Sequence, residues 1–139
     1  MDKFMEHIEK HDDNQTEQQR LKGQHEVILH AMGGRAVYAP IDLPKPGLRI
    51  LDSGGANRRW VKDLRASLPV QHAYVCTDVV PSLFPTHPPD GMSFQAQDIR
   101  EPWPANMHGT FDLVHQRFVM AAAAPTPQIQ VAASLASLL

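Results

Sequence analysis

The chain has little of what marks several protein classes. Its 139 residues include one cysteine, Cys76, so an intrachain disulfide cannot form and a disulfide scaffold is excluded. No apolar run reaches the roughly 18 residues of a membrane-spanning helix. The longest stretch without a charged side chain, 118–139, is broken by Pro125 and Pro127. An excess of one charge is also missing: 13 Lys and Arg stand against 15 Asp and Glu, a net charge of -2, with no basic stripe to neutralise phosphates. Nucleic-acid binding and a membrane-surface role therefore find no support. The polar opening MDKFMEHIEKHDDNQTEQQR lacks the apolar core of a signal peptide. With the lone thiol, it leads us to expect an intracellular protein, cytoplasmic or nuclear.

What is present is an ordinary globular composition, 42% hydrophobic and 20% charged, at single-domain length. Residues 1–16 read as a polar N-terminal tail and residues 17–139 as the folded domain. Leu21, Val27, Ile28, Leu29 and Met32 predict an amphipathic helix over 16–32, closed by Gly33-Gly34. The prolines of RAVYAPIDLPKPG permit only a connector. LRILD (48–52) then predicts a buried parallel strand, SGGANRR a turn, and WVKDLRASL a helix with Trp60, Val61, Leu64 and Leu68 inward. Further strands are expected at His72–Asp78, Met92–Gln97 and Phe111–Val119. A last helix in PQIQVAASLASLL would place Ile129, Ala132, Ala133 and Ala136 on one face and Gln130, Ser134 and Ser137 on another. Strands alternating with helices predict an α/β fold with a mainly parallel sheet.

The chemistry is concentrated where the first strand ends. In Asp52-Ser53-Gly54-Gly55-Ala56-Asn57-Arg58, glycines would let a ligand approach the backbone, and N–H groups at the start of the next helix would favour an anion. A plain strand-to-helix connection reads equally well. Asp78, at the end of the second strand, is placed to accept hydrogen bonds from ribose hydroxyls, or it is a loop carboxylate. Asp52 could orient the turn or meet a cationic amino group, and Asp98 could accept from an adenine amino group or lie exposed. Turn and Asp78 together favour an adenosine-containing ligand. The spacing is not the G-x-G-x-x-G of a nicotinamide site, which argues against an oxidoreductase. His7 and His11 stand at i, i+4, yet no acid or thiol set completes a metal site, so no metal is expected. Cys76 reads as core, and Trp103 as a pocket wall or a packed loop.

Taken in order, RILDSGGANRRW, CTDVVPSLFP, FQAQDIREPWP and FDLVHQRFV, preceded by EQQRLKGQHEVIL and GGRAVYAPI, resemble the fungal class I S-adenosylmethionine-dependent methyltransferases similar to LaeA (UMTA-like). The resemblance covers roughly residues 17–139. It implies a Rossmann-like class I methyltransferase sheet, incomplete here at four strands, with S-adenosylmethionine as cofactor and a secondary-metabolism role. It places Asp52, Ser53, Gly54 and Gly55 in the methionine-binding loop, Asp78 and Val79 at the ribose, and Asp98 with the backbone of Ile99 at the adenine. His115 and Arg117 on the fourth strand are candidates for the transfer site, or ordinary strand residues.

The family's D-x-G-x-G-x-G holds Ala56 and Arg58 at its second and third glycines here, and the family's fifth strand is not reached. The chain is therefore expected to be a fragment or a truncated product, its fourth strand an exposed edge. Its partner would be a small-molecule methyl acceptor or a protein, with self-association through that edge. The rival expectation is a non-catalytic pseudo-methyltransferase acting as a binding or scaffold module.

Overall fold

The computed structural model describes residues 14–55, 58–117 and 123–139. Most of the expected tail with His7 and His11, the turn residues Ala56 and Asn57, and the expected strand end Phe118–Val119 lie outside the described residues. The elements are α1 (Asn14–Ala31), β1 (Arg49–Ser53), α2 (Arg59–Ser67), β2 (Ala73–Asp78), β3 (Met92–Ala96), β4 (Leu113–Gln116) and α3 (Gln128–Ala136), with short 3-10 turns at Pro81–Leu83 and Ala105–Met107.

The four strands form one sheet in the order β3-β2-β1-β4. Every pairing is parallel, with Asp52 level with Cys76 on one side and His115 on the other. All carboxyl ends therefore lie along one edge. β4 is an outer strand, as expected, and so is β3.

Alternation along the strands feeds two cores. Ile50, Tyr74 and Cys76 point to one face, where Trp60, Val61 and Leu64 of α2 cover them. Leu51 and Val75 point to the other, against Trp103, Met107, Phe111 and the α3 residues Val131 and Leu135. A parallel sheet buried on both faces needs runs such as RILD and YVC, without a polar alternate. α2 stops at Ser67 rather than continuing through Leu68, because the residue before Pro69 is driven out of the helical region; Leu68 is extended, with ψ 135.

Two expectations about the helices are corrected. On α3 the expected apolar face is solvent-facing, with Ile129 79% exposed, while Val131, Leu135 and Leu138 are buried. Burial favours the face with more apolar area, and a valine and two leucines exceed an isoleucine among alanines. On α1 the expected apolar stripe is only half-buried, at Leu21, Ile28, Leu29 and Met32. Val27 is 69% exposed, and His25 is the one fully buried side chain among the helix's described residues. The Gly33-Gly34 stop does form: both glycines take positive φ, and Gly34 N donates to Leu29 O at 2.8 Å. No helix among the described residues is long and apolar enough to cross a membrane.

Candidate functional site

The parallel sheet brings the expected site residues to one edge in four steps. Asp52, Ser53, Gly54 and Gly55 close β1, Asp78 and Val79 close β2, Asp98 and Ile99 follow β3, and His115 and Arg117 belong to β4 and its end.

At the tip of β1 the chain folds tightly over its own carboxylate. Gly54 has φ 76, a conformation costly for any residue with a Cβ. Gly55 has no room for one: an added Cβ would lie 2.3 Å from Asp52 Oδ2. Asp52 is buried, and the Oδ1 atom meets His115 Nδ1 at 2.8 Å. A carboxylate only accepts, so His115 Nδ1 carries the proton in this bond. The imidazole is stacked on the Trp60 indole, centroids 3.8 Å apart and planes 2° from parallel. Beside it Gln116 Nε2 donates to Ser53 Oγ at 2.9 Å. The Asp52 carboxylate thus lies beneath the turn, bonded to His115.

The glycine N–H groups do not point outward. Gly54 N and Gly55 N both donate to Thr77 O, at 2.8 and 3.0 Å, tying the turn to β2. Arg58 N donates to Gly55 O at 2.9 Å, and Arg58 takes φ 60 immediately before α2. A left-handed conformation is costly for an arginine, and it falls where the resemblance expects glycine. The Arg58 Nε atom is buried and has no hydrogen-bond partner among the described residues.

At β2, Asp78 is half-buried, with Oδ1 accepting from Val80 N at 3.2 Å, and Val79 beside it is 46% exposed. Asp98 is held by Arg100, whose Nη2 donates to Oδ2 at 2.7 Å and whose backbone N donates to Oδ1 at 2.9 Å. The Arg100 side-chain bond holds the Asp98 carboxyl below the usual carboxylate range, against the opposing effect of burial. Ile99 packs on the α3-side core. Cys76 is core, its thiol pushed up to about 12 by burial and then by the Asp52 charge. Trp103 is also core, so the packed-loop reading holds. No cluster of three potential metal ligands occurs among the described residues.

Sequence reasoning missed a second polar group behind the first. His25 Nε2 meets Asp63 Oδ2 of α2 at 2.6 Å, and His25 Nδ1 meets Arg117 Nη2 at 2.7 Å. Burial lowers the Arg117 pKa, and the Asp52 charge opposes that shift. Only a histidine in line with Leu21, Ile28 and Leu29 on the helix could have signalled it.

Curated proteins share this sequence from end to end. The N-methyltransferase sirN of Leptosphaeria maculans is 43% identical over 128 residues, 91% of this chain and 44% of that protein. The methyltransferase psoC of Aspergillus fumigatus is 40% identical over 139 residues, 100% of this chain and 51% of that protein. The chain is similar in sequence to these fungal methyltransferases. It spans about half the length of these curated relatives, and no family profile matches it. Among solved structures, a chain of the Haloferax volcanii complex between the Trm112 methyltransferase activator and a methyltransferase superposes with TM-score 0.72 at 15% identity, over 100% of this chain and 56% of that one. At that identity the likeness shows the fold: a Rossmann-like class I methyltransferase sheet, here with four strands.

Proposed function

We propose that the chain is the cofactor-binding half of an S-adenosylmethionine-dependent methyltransferase of fungal secondary metabolism, of the LaeA-like kind. The observation that carries this reading is the convergence, at the carboxyl edge of one parallel sheet, of the folded glycine turn, Asp78 and Asp98, in a chain related to fungal methyltransferases. The residues fit the cofactor. A tight turn at the tip of β1, with φ 76 at Gly54, sits beside half-buried Asp78 and exposed Val79, which offer an acceptor and an apolar surface side by side. The backbone of Ser53 to Gly55, supported by Asp52, would hold the methionine end. Asp78 would accept from the ribose hydroxyls with Val79 against the sugar and base, and Asp98 with the Ile99 N–H would meet the adenine.

When bound, the cofactor supplies a methyl group on a positively charged sulfur. Transfer from such a centre is an in-line displacement that depends mainly on alignment, with a base needed only to free a weak nucleophile. We assign that role to His115: with Nδ1–H engaged by Asp52 and the ring held flat on Trp60, the Nε2 lone pair is fixed in direction. A small-molecule nitrogen is the acceptor we propose, since sirN carries the name N-methyltransferase.

A second reading, a non-catalytic binding or scaffold module, is favoured by Arg58 at a strained position of the turn. Calorimetric titration with S-adenosylhomocysteine decides between them. Micromolar binding lost in Asp78→Ala supports the cofactor reading, whereas a folded chain that gives no heat supports the module.

A further inference from the structure

The segment that follows β3, Gln97-Asp98-Ile99-Arg100-Glu101, is folded back on one carboxylate. Arg100 N donates to Asp98 Oδ1 at 2.9 Å, and the Arg100 guanidinium spans both oxygens, Nε to Oδ1 at 3.0 Å and Nη2 to Oδ2 at 2.7 Å. The backbone closes the same turn, with Glu101 N donating to Asp98 O at 3.0 Å. The turn is also fastened to the neighbouring strand tip, because Gln97 N donates to Asp78 O at 2.9 Å. Asp98 thus stands one residue from a bond to Asp78. An ionised carboxylate offers about four acceptor sites. Arg100 N and Nε occupy those of Oδ1, and Nη2 occupies one on Oδ2, so Arg100 leaves one acceptor site on Oδ2. The Asp98 side chain is still 24% exposed.

We propose that Arg100 is a positioning residue for the base end of the cofactor site: its planar fork fixes the Asp98 carboxylate with one acceptor site left, so that the site takes a base carrying an exocyclic amino group and disfavours one carrying a carbonyl there. The inference rests on the cofactor reading above and adds the residue that sets its choice of base. A guanidinium bonded through two nitrogens fixes the plane of a carboxylate as well as its place, which a single donor cannot do. The cost of ordering the acceptor is then met before the ligand arrives. The same bonds hold the carboxyl below its ordinary range, so it stays ionised and can only accept. An amino group completes that arrangement, whereas a carbonyl would set lone pair against lone pair.

The test titrates the whole chain by calorimetry with S-adenosylhomocysteine and with S-inosylhomocysteine, in which a carbonyl replaces the exocyclic amino group. Wild type should prefer the amino ligand by about tenfold. Arg100→Met frees the carboxylate; it should weaken S-adenosylhomocysteine about fivefold and cut the preference to about threefold. Arg100→Lys, which keeps the charge but loses the fork, should fall between the two. Asp98→Ala should abolish the preference, and adding Arg100→Met to it should cost nothing further, because Arg100 acts through Asp98. Arg20→Met breaks another exposed pair, with Glu17 on α1, and should leave both affinities at wild type. Tighter S-adenosylhomocysteine binding in Arg100→Met overturns the inference, since the guanidinium would then compete with the base. A preference kept in full in that variant, or losses that add in the double variant, also overturn it. If wild type binds neither ligand, the cofactor reading fails and the inference falls with it; if wild type and Arg100→Met bind both ligands alike, the inference alone fails.

Discussion

The helices α3 and α1 show how differently the interior of this molecule and its candidate functional edge are held. α3 is seated by Val131, Leu135 and the following Leu138, side chains that need only be excluded from water. α1 buries His25 fully, with its bonds to Asp63 and Arg117 depending on direction and on which ring nitrogen carries the proton, and Leu21, Ile28 and Leu29 only in part. The same contrast runs along β1. Ile50 and Leu51 are wholly buried between two apolar layers, and one residue later Asp52 is bonded to His115 beneath a folded turn. Stability resides in the first region. The second accepts strain and polar burial for geometry, as ligand-binding regions commonly do.

The largest effect should come from the interior. Leu135→Ala removes a buried anchor of α3 and is expected to cost about 2–5 kcal/mol in urea unfolding. Hydrogen exchange in α1 should remain at its wild-type rate under native conditions if the two regions are held independently. A smaller effect of opposite sign is expected at the edge. Arg58→Gly relieves a left-handed arginine and should raise the unfolding free energy by about 1 kcal/mol, read as a higher thermal midpoint. A lower midpoint would mean that the arginine side chain contributes more than its backbone costs.

The smallest change concerns Asp98. Its folded carboxyl titrates below the unfolded one, so its ion pair with Arg100 contributes stability above the unfolded carboxylate pKa of about 4 and loses it as pH falls through the folded value. Asp98→Asn should therefore lower the urea midpoint at pH 7 by less than the equivalent of about 1 kcal/mol, and the difference from wild type should vanish in acid.

The interior was largely legible in the sequence because short apolar runs between turns are what a two-sided parallel sheet demands. RILD, YVC and the helical spacing of Trp60, Val61 and Leu64 all fell where the structure has them. The α3 face was misjudged because counting apolar positions treats alanine like leucine, whereas burial follows area. The site was legible only in part. Asp52, Asp78 and Asp98 announce themselves at strand ends, and the conformation of Arg58 agrees with the glycine expected there. His25, however, acts through Asp63, 38 residues away, and Arg117, 92 residues away. No local pattern encodes such distant partners, and a histidine breaks the apolar periodicity that it replaces. The stack of Trp60 on His115 joins two elements in the same way.

Thr77 O receives both glycine N–H groups of the turn, and the next residue in the chain is Asp78. One carbonyl thus fastens the two strand tips together. A shift of the glycine turn is thereby transmitted to the start of the Asp78 segment. The two tips form a single rigid jaw rather than two adjustable segments, and a substitution that loosens Thr77 would be felt at both.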